Sequence, residues 1–347
     1  MSRTMSLRQS EFVEVARGLQ YPEGPVALAD GSLAVVEVQA GRLTRLRPGT
    51  DPTRPWDVVS QLDLRQPGFG NGPNGAALGP DGALYICNNG GMQFVSVPMT
   101  YADANWTLNV PSLAAADYTS GFLEKVDLTT GAVSLLCSGM RSPDDLVFDA
   151  AGGLWFTDWG KLQANAQGIV RDITGVYYLA PGTQQAKLVI PERSAPNGIL
   201  LSPAGDRLYV AETYNRWIVY WDLQGPGAIK PNPTNFDGCH LLTAAIPGCG
   251  GLDSMAMDER GNLYAITIMP EGQNPLSRGG ITVVSPRGEV IEFIAVDTGV
   301  PDPLPSNLCF GGPDRRTAFI TLGGTGRVVS CRMEIPGLPP AFAKHCQ

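Results

Sequence analysis

The chain repeats one pattern of apolar and polar positions six times. Each copy has a polar residue, a run of alternating apolar residues, a turn rich in Gly or Asp, and a second alternating run. Two alternating runs around a tight turn predict a β-hairpin. The six copies are YPEGPVALADGSLAVVEV from Tyr21, GPNGAALGPDGALYICN from Gly72, SPDDLVFDAAGGLWFTDW from Ser142, APNGILLSPAGDRLYVAE from Ala195, GLDSMAMDERGNLYAITI from Gly251 and PSNLCFGGPDRRTAFITL from Pro305.

The spacing of the copies predicts the architecture. Further alternating runs follow each hairpin and can complete one four-stranded sheet per copy, which favours a six-bladed β-propeller over a β-sandwich. The last copy has room for only one more strand, at 326–333, while 11–18 supplies a spare strand at the other end of the chain. We therefore predict an all-β fold: a single propeller domain over 1–347 with four-stranded antiparallel blades, whose sixth blade is completed by about 11–18.

The second copy carries an insertion at about 88–121. In a propeller, the connection between the second and third strands returns to the face where the first strand begins, so the insertion is expected to form a lid there. It carries Tyr101 and Trp106, and Trp159 begins the equivalent connection of the third blade. These aromatic residues predict contacts with an apolar or aromatic substrate. The alternative is that the insertion packs only on its own blade.

Composition narrows the class of partner. The chain has 42 Gly, 29 Pro and a net charge of −8, and it lacks the Lys and Arg clusters that nucleic-acid binding requires. Neither a secretory signal nor a membrane span is recognisable, so we expect a cytoplasmic protein without a membrane partner. Seven cysteines at irregular spacing indicate mostly buried thiols, with a Cys239–Cys249 disulfide as the alternative. The oligomeric state stays open.

The polar residue that opens each copy is the main functional candidate. First strands line the channel of a propeller, so these six residues should face one another at one mouth. Converging carboxylates repel one another unless a cation neutralises them, and oxygen ligands without His or Cys favour a hard ion such as Ca²⁺. Mg²⁺, Mn²⁺ or Zn²⁺ are the alternatives. The alternative explanation is that these residues are present only because Asn and Asp form turns well, but it does not account for the Glu. The six residues are Glu23, Asn74, Asp144, Asn197, Asp253 and Asn307.

Four stretches resemble the gluconolactonase, senescence marker protein (regucalcin) and luciferin-regenerating enzyme family of six-bladed propellers. They are YPEGP, SPDDL, APNGI with SPAGDRLYVAE, and SNLCFGGPDRRTAFIT, and the likeness extends from about residue 11 to 335. It implies a divalent cation, commonly Ca²⁺, held by Glu23, Asp144, Asn197 and Asp253. Asp144 stands where the family usually has Asn, which adds negative charge to the site.

The resemblance also implies an activity, the hydrolysis of a lactone or related ester as a small-molecule substrate. Asp253 is the preferred base and Asp144 the second choice, although either carboxylate could instead attack the substrate directly. Two alternatives stay open: a metal-dependent isomerase, cyclase or hydratase, and a non-catalytic calcium-binding propeller. The expected substrate contacts are Asn74, Tyr101, Trp106, Arg141, Trp159 and Asn307.

Overall fold

A computed structural model describes residues 6–7, 11–51, 54–166, 168–235, 237–248, 250–269, 271, 274–339 and 341–342. Within these residues the chain forms only β-strands, and six four-stranded antiparallel sheets make up the blades. The predicted all-β six-bladed propeller is therefore confirmed. The described residues contain no helix with the length and apolar character that a membrane span requires.

Each blade runs from an inner strand at the channel to an outer strand at the rim. In that order, blades 1 to 3 consist of Pro22–Ala27, Leu33–Glu37, Arg42–Asp51 and Arg54–Asp63; Pro73–Leu78, Leu84–Asn88, Gly121–Val126 and Val133–Met140; and Pro143–Phe148, Leu154–Asp158, Thr174–Leu179 and Lys187–Arg193. Blades 4 to 6 consist of Pro196–Leu201, Arg207–Glu212, Trp217–Gly225 and His240–Thr243; Gly251–Met257, Leu263–Ile268, Gly280–Val284 and Val290–Ala295; and Pro305–Gly311, Thr317–Leu322, Arg327–Arg332 and Val13–Arg17. Ala228–Ile229 adds to the third strand of blade 4, and Ser6–Leu7 runs parallel to the outer strand of blade 5.

The two ends of the chain close the ring. Val13–Arg17 pairs antiparallel with Arg327–Arg332, so the expected N-terminal strand does complete the sixth blade. The inner strand of each blade contacts the inner strand of the next, and that of blade 6 contacts that of blade 1. The inner strands therefore form a continuous ring around the channel.

Apolar side chains fill the space between neighbouring sheets. Trp155 of blade 3 and Trp221 of blade 4, for example, belong to one buried cluster and are fully buried. Cys87 and Cys137 are buried free thiols and Cys331 is buried too, as the sequence suggested. Cys239 is also a free thiol, and the alternative disulfide cannot be assessed further because Cys249 lies outside the described residues.

The polar residue that opens each copy lies inside the inner strand and not in a turn before it. All six inner strands shift register at this point. In blade 1, for example, Glu23 pairs with Val36, and the next paired residue is Val26. A β-bulge of this kind inserts one extra residue and re-aims the side chains around it. The bulge is therefore what distinguishes these polar positions from ordinary alternating strand residues.

Glycine at the bulge allows neighbouring inner strands to approach closely. Gly24 has φ +45°, and a Cβ placed on it would lie 2.4 Å from the backbone oxygen of Asn74 in blade 2. A Cβ on Gly75 would in turn lie 2.4 Å from the backbone oxygen of Asp144 in blade 3. Since atoms do not approach this closely, only glycine fits at both positions. The close approach brings the polar side chains of three successive blades together.

We expect Gly24→Ala to lower the free energy of unfolding by about 3 kcal/mol or more, because the methyl group adds a backbone clash to the cost of a left-handed φ. Gly31→Ala is the matched control, since Gly31 has φ +80° and a Cβ there would meet nothing within 4 Å. It should cost only about 1 to 2 kcal/mol. Urea denaturation of both variants makes the comparison, and equal losses would contradict the close approach.

Candidate metal and substrate site

A cavity of about 320 Å³ lies at the mouth of the channel. Five of the six polar residues predicted from the repeat line it, and apolar residues from the connections form much of the remaining wall. A cavity of this size and mixed lining is typical of a small-molecule site. The five polar residues are Glu23, Asn74, Asp144, Asn197 and Asp253. The apolar and aromatic wall includes Tyr21, Met92, Val110, Pro111, Ile268, Met269 and Leu304.

Two of the three carboxylates of the cavity are buried, Asp253 is partly exposed, and the three repel one another. Glu23 is 3% exposed and Asp144 is 7% exposed. Burial, followed by the charge of Asp253, raises the pKa of Glu23 and of Asp144 well above the usual range. Burial also raises the pKa of Asp253 to about 7. Ionising all three groups together is therefore unfavourable unless positive charge is supplied.

Hydrogen bonds hold one oxygen of two of these carboxylates. Glu23 Oε2 accepts from the backbone N of Gly24 at 2.7 Å and from Asn307 Nδ2 at 2.8 Å. Asp144 Oδ2 accepts from Asn74 Nδ2 at 3.1 Å. The other oxygens, Glu23 Oε1 and Asp144 Oδ1, accept no hydrogen bond from the residues that the structure describes. Each carboxylate is therefore oriented through one oxygen and can bind a ligand through the other.

Asn197 contains a polar atom without a partner. Its side chain is 4% exposed, and Nδ2 approaches Thr213 Oγ1 at 3.4 Å. A hydrogen bond from the Asn197 side chain also lowers the pKa of Asp253, against the larger effect of burial. Asn197 Oδ1 is buried and has no hydrogen-bond donor among the described residues. A buried oxygen without a partner costs about 1 to 3 kcal/mol of stability, so a ligand that binds Asn197 Oδ1 would be favourable.

This donor set fits a hard cation. Carboxylate and amide oxygens are the ligands that Ca²⁺ and Mg²⁺ prefer, and Asn197 Oδ1 supplies one that no described protein group satisfies. Among the described residues, no three Asp, Glu, His or Cys side chains stand close enough to hold a metal ion by themselves. A cation at this mouth would therefore need amide oxygens as well as carboxylates.

Three of the other predicted residues have distinct surroundings. Trp159 lines the cavity, and its Nε1 donates to Thr213 Oγ1 at 3.1 Å. Asn307 does not line the cavity but orients Glu23. Arg141 does not line it either: its Nε pairs with Asp172 at 2.8 Å, and its guanidinium lies over the Tyr118 ring. Contact of Arg141 or Asn307 with the substrate stays a prediction.

The insertion of blade 2 forms a hairpin that reaches across the mouth. We call the residues from Met92 to Ala114 the mouth hairpin; its strands are Met92–Tyr101 and Ala104–Ala114. The backbone N of Asn109 donates to Gly324 O at 2.7 Å, which joins the hairpin to blade 6. Met99 and Leu108 share a buried cluster with Leu304. The insertion therefore packs on the far side of the ring and not only on its own blade.

The predicted aromatic lid residues anchor this hairpin. Tyr101 accepts a hydrogen bond from Arg278 Nη2 at 3.2 Å, and Trp106 lies under the guanidinium of Arg327 at 5.4 Å. Neither ring lines the cavity, whereas Met92, Val110 and Pro111 of the same hairpin do. Trp106 and Val110 lie on the same face of their strand and pack against the same apolar cluster, but Val110 is the one that reaches the cavity. Contact of Tyr101 or Trp106 with the substrate stays a prediction.

Lys161 lies two residues after Trp159, in the same connection of blade 3. It is fully buried, and its Nζ donates to the backbone O of Gly91 at 2.8 Å and to Asn89 Oδ1 at 3.2 Å. Burial lowers the pKa of Lys161 to about 7. Lys161 joins the base of the mouth hairpin to blade 3. Its burial could not be expected from the sequence, because lysine is almost always exposed.

Blades 3 and 4 supply further residues that the sequence did not single out. A second hairpin, Leu162–Asn165 with Gly168–Arg171, follows Trp159, and Leu162 lines the cavity. Thr213, Tyr214 and Arg216 line it from the connection after the second strand of blade 4. The position of these residues in the repeat could have indicated them. TYNRW (213–217) follows the second strand of blade 4, just as the residues after Asp158 follow the second strand of blade 3.

Sequence comparison matches the chain to one family and to relatives that are named gluconolactonase and lactonase. A family model described as "SMP-30/Gluconolactonase/LRE-like region" matches residues 21–324. A gluconolactonase of Zymomonas mobilis is 26% identical over 327 residues, which cover 88% of this chain and 77% of that protein. Lactonase drp35 of Staphylococcus aureus is 28% identical over 271 residues, which cover 76% of this chain and 68% of that protein.

Solved structures share the fold. A calcium-binding protein, regucalcin, from Agrobacterium tumefaciens matches with a TM-score of 0.65 and 16% identity, over 96% of each chain. A gluconolactonase from Xanthomonas campestris matches with a TM-score of 0.63 and 20% identity, over 96% of this chain and 91% of the other. At these identities the likeness establishes the propeller, and the chemistry must come from the site.

We expect Lys161→Met to change how stability depends on pH. The lysine loses its proton near pH 7 in the native state and near 10.5 when unfolded, so the unfolded state binds more protons in between. The free energy of unfolding of the wild type should therefore rise relative to that of the variant, by up to about 1.4 kcal/mol per pH unit between pH 7 and 10. Urea denaturation in chelator at several pH values measures this.

Lys125→Met is the matched control for this experiment. The Lys125 amine pairs with Asp81, and that hydrogen bond raises its pKa. The free energy of unfolding of Lys125→Met should therefore change between pH 7 and 9 by the same amount as that of the wild type. If the free energy of unfolding changed with pH in the same way for the wild type and Lys161→Met, this result would contradict a buried amine that titrates near neutrality.

Proposed function

The chain belongs to the SMP-30/gluconolactonase/LRE-like family, and from this premise we propose that it is a lactone hydrolase that depends on a divalent cation, Ca²⁺. Relatives named gluconolactonase and lactonase support the class of reaction. The observation that carries the cation is Asn197 Oδ1, a buried oxygen without a described donor among three carboxylates that repel one another. The substrate is a small lactone or related ester.

Four residues would hold the cation through oxygen atoms: Glu23, Asp144, Asn197 and Asp253. When bound, the cation would offset the repulsion among the carboxylates and polarise the lactone carbonyl. Asn307 and the backbone N of Gly24 keep Glu23 in place through its Oε2. Asn74 does the same for Asp144. The supporting amides therefore reduce the cost of ordering the charged groups.

Asp253 acts as the base in this proposal. Its carboxylate accepts a proton from the attacking water as the water oxygen bonds to the carbonyl carbon. The ring C–O bond then breaks, and the departing alkoxide oxygen takes that proton back from Asp253. Asp144 is the second candidate for the same role. The products are a hydroxyl group and a carboxylic acid on one open chain, and the acid releases its remaining proton to solvent to give the carboxylate.

The walls of the cavity determine which lactones fit. Met92, Val110 and Pro111 of the mouth hairpin face Ile268 and Leu304 across a largely apolar region. Such a wall excludes water from the carboxylates and favours apolar ring substituents. This supports an apolar pocket, with the aromatic contribution coming from Tyr21 and Trp159 and not from the hairpin aromatics.

We expect Asp253→Asn to lower kcat/KM for lactone hydrolysis by about 100-fold or more, because the amide cannot accept the proton of the water. A panel of lactones of graded ring size and hydrophobicity, with Ca²⁺ or with chelator, identifies the substrate. Asp206→Asn, in an exposed hairpin turn of blade 4, is the matched control and should leave the rate unchanged.

Product analysis decides among the alternatives. Hydrolysis adds one water to the lactone, whereas an isomerase or cyclase gives a product of the same mass or runs in the closing direction. Ca²⁺ binding without turnover of any lactone would favour a binding propeller. Full activity of Asp253→Asn, or activity that persists after removal of all divalent ions, would contradict the proposal.

We also expect Asn197→Ala to weaken Ca²⁺ binding about tenfold or more, because it deletes the unpaired amide oxygen. Titration calorimetry on chelator-treated protein measures the affinity without any need for turnover. Asn235→Ala, in a loop at the outer side of blade 4, is the control and should bind Ca²⁺ as the wild type does. Equal affinities for Asn197→Ala and wild type would exclude Asn197 as a ligand.

A further inference from the structure

We propose that the substrate carries an anionic group, a carboxylate or a phosphate, besides the lactone ring, and that Arg171 and Arg216 bind this group at the rim of the cavity. The proposal rests on the lactonase function proposed above and specifies its substrate class. Both arginines lie on the side of blades 3 and 4, at the end of the second hairpin and in the connection after Glu212.

Two aromatic rings hold the guanidinium of Arg171. Its central carbon lies 3.7 Å from the centroid of the Trp159 ring and 4.4 Å from that of the Tyr214 ring. Both of these rings line the cavity. A guanidinium held between two rings loses little conformational entropy when it binds a planar anion. Arg171 is therefore fixed at the edge of the site before any ligand arrives.

No carboxylate neutralises Arg171 among the described residues. Its Nη1 donates to the backbone O of Trp159 at 2.9 Å, and its Nη2 is buried without an acceptor. The neighbouring Asp172 pairs with Arg141 instead. Burial lowers the pKa of Arg171, an effect that the nearby Tyr214 side chain opposes. An arginine stays protonated despite such a shift. The charges of Asp144 and Asp172 also favour its positive form, but no carboxylate among the described residues forms an ion pair with it.

Five other arginines lie over aromatic rings, and none of them has the surroundings of Arg171. Arg327, over Trp106, donates through Nε, Nη1 and Nη2 to Thr325, Thr298 and the backbone O of Val300. The other four each form an ion pair with a carboxylate, as expected for a structural stacking contact. They are Arg141 with Asp172, Arg193 with Glu212, Arg207 with Asp222 and Arg278 with Asp297. A stacked arginine without such a partner, beside a cavity, is the arrangement expected of an anion-binding group.

Arg216 adds a second positive charge. It lines the cavity, and its Nη2 donates to the backbone oxygens of Ile246 and Gly248. Its Nε is buried without an acceptor, and it forms no ion pair with any described carboxylate. Arg216 and Tyr214 belong to the same connection and both line the cavity, so this side of the mouth holds two guanidinium groups with unused donors.

The rest of the mouth directs an anion to this side. The carboxylates of the inner strands occupy the floor, and the apolar residues of the mouth hairpin cover the side of blades 5 and 6. An anionic substituent is unfavourable at either place, so the arginine side is where it gains energy.

Three lactones with the same ring test the proposal, bearing a methyl ester, a carboxylate or a phosphate at one position. For the wild type, kcat/KM should be about tenfold or more higher with an anionic lactone than with the ester. Arg171→Gln should abolish this preference, mainly through KM. The preferred anion shows whether a carboxylate or a phosphate is bound. A wild type that prefers the ester, or equal losses for all three lactones in the variant, would overturn the proposal.

Binding of simple anions supplies a readout that does not need turnover. Glutarate and phenyl phosphate, titrated calorimetrically into Ca²⁺-loaded protein, should bind the wild type at least about tenfold more tightly than Arg171→Gln. Arg207→Gln, which removes a stacked arginine with a carboxylate partner outside the cavity, is the matched control and should match the wild type.

The two readouts separate this proposal from the proposed function. Arg171-dependent anion binding without hydrolysis of any lactone would support the anion site and overturn the hydrolase. Lactone hydrolysis without a preference for anions would uphold the hydrolase and overturn the anion site. Equal affinity of the wild type and Arg171→Gln for the simple anions would also overturn the anion site.

Discussion

Repulsion among the carboxylates of the cavity is the constraint on which the site depends. Glu23, Asp144 and Asp253 come from three different blades, yet each raises the cost of ionising another. The inner strands hold them in one place because a bulge re-aims each side chain and glycine permits close backbone contact. The packing of six blades thus holds the three carboxylates closer together than their mutual repulsion would otherwise allow.

A second set of buried polar residues supports this arrangement from behind. The last residue of the second strand is a buried carboxylate or amide in four blades, and it binds the backbone or side chains that lead into neighbouring strands. Asp158, for example, accepts from the backbone N of Arg141, Ser142 and Gly160. Buried polar groups are stable only when fully paired, so these residues fix the loops at the mouth. The four residues are Glu37, Asn88, Asp158 and Glu212.

The sequence was sufficient for the fold and for most of the cavity floor, because both repeat. Glu23, Asn74 and Asp253 could be aligned from one blade to the next, and closure by Val13–Arg17 followed from a missing strand in the last copy. The walls do not repeat. Which side of the mouth hairpin faces inward depends on its register, and the burial of Lys161 depends on contacts with a distant blade. Such long-range contacts have no local signature, so Tyr101 and Trp106 were taken for cavity residues.

Closure of the sixth blade by the N-terminal strand has a consequence for synthesis. Val13–Arg17 leaves the ribosome long before its partner Arg327–Arg332. The ring cannot be sealed until Arg327–Arg332 has emerged, so until then the nascent chain must keep an unpaired strand and an open circle of blades. Unpaired strand edges promote aggregation, which makes chaperone protection during translation most valuable for this protein before its final blade emerges.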